Sequence, residues 1–315
     1  MASITKPRII HPQLRRNAIG LTVRDYEGAM STLCAGCGHD STTAAIVHAI
    51  FDMAIEPHRI VKLSGIGCSS KTPTYFASRA HGINSIHGRM PSVATGSNAV
   101  NRDLYYIGIS GDGDSLSIGL GQFVHVARRN VNMLYILENN GVYGLTKGQF
   151  SASADPGSRL KKGEINPYLN IDPVLLALSV GAPFVARSFS GDKEQLVPLI
   201  QQGLRNPGFA FIDVISPCVT FNDHEGSTKS YKYTRDHARQ VSTEDFDPSD
   251  AVAAHECIQR GYQRGEVLTG LLHRHADRPE MHELSETSDT PLGDIPYERL
   301  HPGSAGLDEL QGSMR

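Results

Sequence analysis

Apolar and polar residues alternate along the middle of the chain in patterns that predict helices and strands in turn. Apolar positions recur at helical spacing after Asp40, which we expect to cap a helix, and a short buried strand is predicted at 60–64. Two further apolar runs, 104–110 and 131–138, lie on either side of a helical stretch at 115–129. These last three segments predict a βαβ crossover, a connection that joins parallel strands.

The same alternation continues to residue 216, with helices predicted near 172–181 and at 192–204 and strands near 183–189 and at 209–216. We therefore predict an α/β fold with a doubly wound, mainly parallel sheet and extended N- and C-terminal arms. A polar stretch with Gly and Pro at 151–170 is predicted to be a surface loop. The predicted division is an N-terminal arm at 1–32, a central domain at 33–235, and a C-terminal helix with an extended polar tail at 236–315.

Composition and charge narrow the class of protein. The chain has 315 residues, of which 39% are apolar, and its net charge of −3 with scattered Lys and Arg argues against a nucleic-acid partner. We see neither a secretory signal nor an apolar run long enough to span a membrane, so we expect a cytoplasmic protein without a membrane partner. In that reducing compartment, the five cysteines are candidate metal ligands or redox groups rather than disulfides.

Polar motifs follow both strands of the predicted crossover. Gly111-Asp112-Gly113 follows the first, and Asn139-Asn140 follows the second after 25 intervening residues. Mg²⁺ prefers oxygen ligands and often binds one or two protein groups together with phosphate oxygens. We expect Asp112, Asn140 and the Val142 carbonyl to be its ligands, beside glycines and a helix N-terminus that suit a diphosphate. Either tripeptide alone is usually an ordinary turn, but the pair at this spacing predicts a site.

Four cysteines lie in predicted loops. Cys34 and Cys37 form a C-x-x-C pair, and Cys68 and Cys218 each follow a predicted strand. This set suits a [4Fe–4S] cluster or a structural zinc, although zinc favours two closely spaced pairs and the chain has one. Taken alone, Cys68 is more often a small buried apolar residue. Cys257 lies outside every motif, in a predicted helix, and we expect a structural thiol there.

These motifs carry a resemblance to known families. GDG followed by NN at this spacing resembles the signature of thiamine-diphosphate enzymes. Over roughly residues 20–235, the chain resembles the β subunits of 2-oxoacid:ferredoxin oxidoreductases. The sequence runs that carry this second resemblance are LCAGCGH (33–39), SGIGCSSK (64–71), HGRMPSVATGSNAV (87–100), GDGDSLSIGLGQ (111–122), NNGVYGLTKGQ (139–149) and SPC (216–218).

The resemblance implies cofactors and residues that hold them. It implies thiamine diphosphate with Mg²⁺ in the central domain, and a [4Fe–4S] cluster on Cys34, Cys37, Cys68 and Cys218 that passes electrons to ferredoxin while coenzyme A takes the acyl group. The positions that would contact the thiamine cofactor are Ile66, Gly67, Cys68, Ser69, His87, Gly88, Asp112, Gly113, Asp114, Asn140, Val142, Gly144, Leu145 and Thr146.

Other roles are less well defined by sequence. Lys71 and Lys147 follow two of the motifs and are candidate contacts for the substrate's carboxylates, although lysines are more often simply solvated. His39 and Arg89 suit a cap or a salt bridge as well as catalysis. No residue is assignable as the glutamate that activates the cofactor in this superfamily. We therefore expect an α subunit to supply it, in a heterodimer or a dimer of heterodimers.

The expected reaction is reversible conversion of 2-oxoglutarate to succinyl-CoA, because the length and polar tail resemble the bacterial two-subunit 2-oxoglutarate enzymes. Pyruvate is the main competing substrate. Another interpretation is a non-redox thiamine-diphosphate decarboxylase or carboligase, with cysteines that hold zinc or nothing. A third is a metal-stabilised assembly protein, which leaves the pairing of GDG and NN unexplained.

Overall fold

The computed structural model describes residues 4, 6, 11–160, 163–275, 277–285, 290–300 and 303–314. The strands are β1 (Ile60–Ser64), β2 (His81–Asn84), β3 (Tyr105–Gly111), β4 (Met133–Asn139), β5 (Val142–Tyr143), β6 (Gln149–Phe150), β7 (Phe184–Phe189), β8 (Phe209–Ile215), β9 (Ala238–Gln240) and β10 (Val267–Arg274). The α-helices are α1 (Gly38–Asp52), α2 (Met90–Val100), α3 (Leu120–Arg128), α4 (Pro173–Ser179), α5 (Lys193–Arg205), α6 (Tyr231–His237), α7 (Ala251–Gln263), α8 (Met281–Leu284), α9 (Tyr297–Leu300) and α10 (Gly303–Ser313).

Eight of these strands form one sheet in the order β2-β1-β3-β4-β8-β7-β10-β9. Every neighbouring pair is parallel except β7 and β10, which run antiparallel. The predicted α/β fold with a mainly parallel sheet is therefore confirmed. The central strands β4, β7 and β8 are buried along their whole length, as parallel strands covered on both faces must be.

Helices cover the sheet on both faces. One apolar core lies between the sheet and the helices α1 and α5, and the other lies under α2, α3, α4 and α7. Successive side chains of a strand point to opposite faces, so Leu134 and Ile136 of β4 enter the first core while Tyr135 and Leu137 enter the second. We call these the α1 face and the α3 face. The same alternation decides which face receives the polar residues that follow.

Two local expectations differ from the structure. Helix α1 begins at Gly38, before Asp40, because the Gly38 amide donates to the carbonyl of Pro217 in another segment. The first turn after Asp112 is a π-helical turn (Gly113–Ile118), and α3 starts only at Leu120. Such turns are rare and often lie at functional sites.

The ends of the chain contribute to the fold more than their polar composition indicates. Tyr26, within the predicted arm at 1–32, is fully buried in the core of the α1 face. Strands β9 and β10 extend the main sheet, so the boundary placed at residue 235 falls inside it. Most of residues 1–10 and parts of the C-terminal tail lie outside the described residues, and the division into three segments stays a prediction. No helix in the described part of the chain has the length and apolar character to cross a bilayer.

Candidate active site

The sheet order brings the sequence motifs together. Strands β1, β3, β4 and β8 are neighbours and parallel, so their carboxyl ends lie along one edge of the sheet. The segments that leave these ends are 65–68, 112–114, 140–142 and 216–218. Each contains residues that the sequence singles out, and this edge is where ligands bind in open parallel sheets.

Asp114 joins three of the motifs. Its buried carboxylate accepts hydrogen bonds from His87 Nδ1 at 2.5 Å, the Gly88 amide at 2.6 Å and the Ser110 hydroxyl at 2.6 Å. The Ile66 amide donates to the same carboxylate at 3.3 Å. Asp114 therefore fixes the loops after β1 and β2 against the end of β3. Its role within the chain is structural, because its carboxylate orders the loops that surround the site.

Asp112 is almost fully buried, with 2% of its surface exposed. Its Oδ2 atom accepts from the Gly141 amide at 2.8 Å, Ser151 Oγ at 2.5 Å and Ser153 Oγ at 2.6 Å. All the hydrogen bonds that the described residues give Asp112 reach this one oxygen. Burial raises the pKa of Asp112, although these hydrogen bonds oppose it. The remaining oxygen, Oδ1, is the one available to a cation.

Asn140 and Val142 lie in the turn that contacts Asp112. The Val142 amide donates to Asn140 Oδ1 at 3.0 Å, and Asn222 Nδ2 donates to the Asn140 carbonyl at 2.7 Å. The three predicted magnesium ligands are thus brought together, since Gly141 between two of them donates to the third. Oxygen atoms from a carboxylate and an amide fit the ligand preference of Mg²⁺.

The glycines beside Asp112 have a packing role that the motif alone does not show. A side chain at Gly113 would lie 2.4 Å from the ring of Tyr143, whose hydroxyl donates to the Gly113 carbonyl at 3.1 Å. A side chain at Gly111 would lie 2.8 Å from Ser69 Oγ. The absence of side chains at these two positions allows Tyr143 and Ser69 to pack directly against the turn.

The cysteine-bearing segments also meet at this edge. A Cβ atom placed on Gly144 would lie 3.4 Å from Cys68 Sγ and 3.6 Å from Cys218 Sγ. Thr220 Oγ1 donates to Cys34 Sγ at 3.4 Å, and the Cys37 amide donates to the Cys34 carbonyl at 3.0 Å. Cys68 and Cys218 therefore lie on either side of Gly144, beside the turn that holds Asn140 and Val142, and the Cys34–Cys37 segment contacts the loop that follows Cys218.

The protonation of these thiols follows from their burial. Burial raises the pKa of Cys37 to about 12 and also raises the pKa of Cys68 and of Cys218. The charge of Lys71 opposes this increase at Cys68. No group of three or more His, Cys, Asp or Glu side chains in the described part of the chain is arranged to hold a single metal ion. Without a cationic ligand, the buried members of this set are therefore thiols rather than thiolates.

Glu138, which the sequence motifs do not include, lies at the centre of the cysteine-bearing segments. It is fully buried at the end of β4, and Thr72 Oγ1 donates to its carboxyl oxygens at 3.1 and 3.0 Å. His39 Nδ1 lies 3.4 Å from Glu138 Oε2 and 2.7 Å from Ser216 Oγ. Burial raises the pKa of Glu138 well above its ordinary value and lowers that of His39 to about 4. His39 is therefore neutral near pH 7, and burial favours the neutral form of Glu138.

The remaining predicted positions line the edge of the site. Ile66 and Leu145 are 38% and 49% exposed, and Thr146 donates to Gln149 Oε1 at 2.6 Å. Lys71 follows Cys68 in a 3₁₀ turn (Ser69–Thr74), and the exposed Lys147 has a left-handed backbone with φ of 79°. Nothing in these contacts distinguishes a substrate role for either lysine, and both assignments stay predictions.

Sequence reasoning missed several residues of the site. Ser151 and Ser153 lie in the stretch predicted to be a surface loop, yet both are buried against Asp112. Of these residues, Glu138 is the one that the sequence could have indicated, because it is a carboxylate that directly continues the apolar run MLYIL. A charged residue at that position of a central strand requires specific partners.

Comparison with known proteins identifies the family. Residues 65–214 match the model described as "Thiamine pyrophosphate enzyme, C-terminal TPP binding domain". The 2-oxoacid:ferredoxin oxidoreductase subunit beta of Saccharolobus solfataricus is 41% identical over 219 residues, which are 69% of each chain. A solved structure of 2-oxoglutarate:ferredoxin oxidoreductase from Magnetococcus marinus is 33% identical, has a TM-score of 0.78, and matches 95% of this chain and 97% of that one. The chain belongs to the family of 2-oxoacid:ferredoxin oxidoreductase β subunits.

The family resemblance drawn from the motifs is thereby confirmed, and the matched thiamine pyrophosphate domain contains both the GDG and the NN motif. The 2-oxoglutarate oxidoreductase subunit KorB of Mycobacterium tuberculosis is also similar, with 38% identity over 193 residues, which are 60% of this chain and 51% of that relative. The alignments to these β subunits therefore cover between half and about two thirds of the curated relatives. The Magnetococcus structure is described with 2-oxoglutarate, coenzyme A and succinyl-CoA bound.

Proposed function

We propose that the chain is the β subunit of a coenzyme A-dependent 2-oxoglutarate:ferredoxin oxidoreductase and holds thiamine diphosphate, Mg²⁺ and a [4Fe–4S] cluster. The observation that carries this proposal is the position of Gly144. Its backbone follows the turn of Asn140 and Val142 and contacts the region of both Cys68 and Cys218, at 3.4 and 3.6 Å from a Cβ placed there. One short segment thus borders the magnesium ligands and the thiols.

The residues present fit these groups. Asp112 has an oxygen to spare in a buried position that a cation would stabilise, and Asn140 and the Val142 carbonyl are the further protein ligands that we assign to Mg²⁺. Four thiols at loop ends fit a cubane cluster. When bound, thiamine diphosphate supplies an electron sink for decarboxylation of the 2-oxoacid, and the cluster supplies a one-electron route towards ferredoxin.

The chain's own residues prepare this site in three ways. Asp114 orients the loops that carry Ile66 and His87, which we assign to the cofactor pocket. Ser151 and Ser153 hold Asp112 through Oδ2 and leave Oδ1 as the oxygen that we assign to the cation. Lys71 favours the thiolate form of Cys68 by its charge. Each of these contacts is made within the chain itself, and such contacts lower the cost of ordering the site.

Exposed apolar side chains around the site support the need for an α subunit. Ile86 is 74% exposed, Leu145 49% and Ile118 48%, and each is next to or within a segment assigned to the cofactor pocket. Large exposed apolar side chains grouped around a site are typical of an interface with a partner. We propose that the partner covers this surface and supplies the activating glutamate, in a heterodimer or a dimer of heterodimers.

The choice of 2-oxoglutarate rests on the relatives rather than on the pocket. The Magnetococcus structure, matched over 97% of its chain, is described with that substrate, and the mycobacterial relative carries its name. Lys71 and Lys147 are the candidate contacts for its two carboxylates. Pyruvate is the alternative substrate, because it has the same 2-oxoacid group.

The first test is an anaerobic spectrum of the chain co-purified with its α subunit, together with assays of iron, sulfide and thiamine diphosphate. We expect the visible iron–sulfur absorbance to bleach on addition of 2-oxoglutarate and coenzyme A. Bleaching only with pyruvate would change the substrate but keep the mechanism. A colourless complex that binds thiamine diphosphate would support the non-redox alternative instead.

Matched variants separate the two cofactors. Cys68→Ala should lose the iron yet retain most thiamine diphosphate, whereas Asp112→Ala should lose tight, magnesium-dependent cofactor binding yet retain iron. Cys257→Ala is the control, since Cys257 is buried in α7 under the α3 face, and it should retain both. Full iron and activity in Cys68→Ala would refute the cluster assignment, and stoichiometric cofactor in Asp112→Ala would refute the magnesium site.

A further inference from the structure

Four buried polar side chains lie together at the point where the cysteine-bearing segments meet. Thr72 donates to Glu138, His39 is hydrogen-bonded to Ser216, and His39 Nδ1 lies 3.4 Å from Glu138 Oε2. We name Glu138, Thr72, His39 and Ser216 the Glu138 clamp. We propose that this clamp positions the cysteines, so that the segments which carry them are already aligned when the cluster is inserted. The inference rests on the proposed function, because it assumes that the four cysteines hold an iron–sulfur cluster.

Each outer member of the clamp lies within four residues of a cysteine. Thr72 is in the 3₁₀ turn that begins immediately after Cys68. His39 is in the first turn of α1, two residues after Cys37, and Ser216 is two residues before Cys218. Such short connections leave little freedom between a clamp residue and its cysteine, so fixing the first restricts the second.

Glu138 connects all three segments from a rigid position. It is the last but one residue of β4, which is paired on both sides with parallel strands. Thr72 Oγ1 lies within 3.1 Å of both of its carboxyl oxygens, and His39 lies between Glu138 and Ser216. Glu138 thus fixes the positions of the three segments relative to the central strand β4, and not only relative to one another.

The presence of a glutamate at position 138 is informative because the burial of an apolar side chain there would cost less free energy. Leu134 and Ile136 precede Glu138 on the same face of β4, and all three are buried. A carboxyl group at such a position is costly unless it is hydrogen-bonded. In return, directional hydrogen bonds fix neighbouring segments in one arrangement, which apolar contacts do less strictly.

The test compares three clamp variants in the anaerobically purified complex with the α subunit. Glu138→Leu removes the hydrogen-bonding group, Thr72→Val removes only the donor to Glu138, and Glu138→Gln retains the shape with both a donor and an acceptor. We measure iron and sulfide per chain, thiamine diphosphate binding by calorimetry, and the rate at which a ferrous chelator removes iron.

We expect Glu138→Leu to bind at least fivefold less iron while it retains thiamine diphosphate. Thr72→Val should lose iron to the chelator about tenfold faster than the native chain, as expected for a lost buried hydrogen bond. Glu138→Gln should resemble the native chain in both measurements. Asp172→Asn is the matched control, since it perturbs a partly buried carboxylate on the α3 face and should not change the rate of iron loss.

The outcomes distinguish this inference from the proposed function. Native iron content and native chelation rates in Thr72→Val and Glu138→Leu would overturn the clamp alone, and Thr72→Val decides if Glu138→Leu does not fold. Faster iron loss in Asp172→Asn as well would show a general effect of destabilisation and would also overturn the clamp. A native complex without iron would overturn the proposed function together with the clamp.

Discussion

The two faces of the sheet bury ionisable groups in different ways. On the α1 face, Glu138, His39 and Lys62 are held by neutral partners. On the α3 face, Arg187 is held by the carboxylates of Asp172 and Asp213. The comparison shows that one fold uses neutral hydrogen bonding beside the cysteines and ion pairing on the opposite side.

Burial drives all three groups of the α1 face towards their neutral forms. Lys62 Nζ donates to the carbonyls of Phe76 and Ala77 at 2.8 and 3.0 Å, and burial lowers the pKa of Lys62 to about 8. Burial likewise lowers the pKa of His39 to about 4 and raises that of Glu138. The hydrogen-bond partners of Lys62 are backbone carbonyls, which bear no net charge.

On the α3 face the charges compensate one another. The side chain of Arg187 is 4% exposed and donates to Asp213 and Asp172 at 2.8 Å each, and to Tyr262 Oη at 2.7 Å. Burial opposes the charge of Arg187, but the two carboxylates outweigh it and raise the pKa of Arg187 well above its ordinary value. Burial alone would raise the pKa of Asp172, yet the charge of Arg187 lowers it.

The ion-paired group continues to Asp112, the residue that we propose as a magnesium ligand. Asn139 Nδ2 donates to Asp213 at 3.0 Å, and Ser153 Oγ is within hydrogen-bond distance of Asn139 Oδ1 at 2.8 Å and of Asp112 at 2.6 Å. Substitutions on the two faces should therefore have different effects on stability. Loss of a charge should destabilise the α3 face strongly, whereas neutral replacement should be tolerated on the α1 face.

The largest effect should come from Arg187→Met, which leaves the buried Asp213 and the partly buried Asp172 without their cation. We expect a decrease of about 3–5 kcal/mol in the free energy of unfolding, measured by urea denaturation. Arg24→Met is the control, because Arg24 is half exposed in its ion pair with Glu27 and should cost about 0.5 kcal/mol or less. Equal effects of the two substitutions would contradict the comparison.

An intermediate effect is expected from Ser153→Ala, which removes the link between Asn139 and Asp112. Loss of these buried hydrogen bonds should reduce the free energy of unfolding by about 1–2 kcal/mol. It should also increase the Mg²⁺ concentration needed for half-maximal thiamine diphosphate binding, which calorimetry at graded Mg²⁺ measures. A variant with reduced stability and unchanged Mg²⁺ dependence would show that the α3 face does not act on Asp112.

The smallest effect concerns the pH dependence contributed by Lys62. Its pKa is about 8 in the folded chain and 10.5 ordinarily, so between these values the unfolded chain binds more protons. Stability should therefore rise with pH, by about 1 kcal/mol from about pH 8 to about pH 9. Urea denaturation of Lys62→Met should lack this increment, and identical pH profiles would indicate that Lys62 is charged in the fold.

The sequence predicts the parts of this site that depend on neighbouring residues in the chain. The sequence places Asp112 and Asn140 at the same edge of the sheet because each directly follows an apolar strand, and the β3-α3-β4 crossover makes those strands parallel. The C-x-x-C pair is also local. Each of these patterns lies within one short segment of the chain, so the sequence alone is enough to recognise it.

The remaining features depend on contacts between distant segments. Ser151 and Ser153 reach Asp112 only because the hairpin of β5 and β6 turns the chain back over β3 and β4. Helix α1 starts at Gly38 because Pro217 supplies an acceptor, which no local capping rule includes. Strand β9 has three residues, and its place in the sheet depends on β10.

The alternation of side chains along β4 constrains how this protein can change over time. Glu138 and Asn139 are adjacent, and one belongs to the cysteine side while the other belongs to the magnesium side. A single inserted or deleted residue within β4 would exchange the two and misplace both sets of partners at once. Substitutions in this strand can be sampled one at a time, but a change in its length would have to be accompanied by simultaneous changes at both sites. We therefore expect the length of this strand to be inherited more strictly than most of its residues.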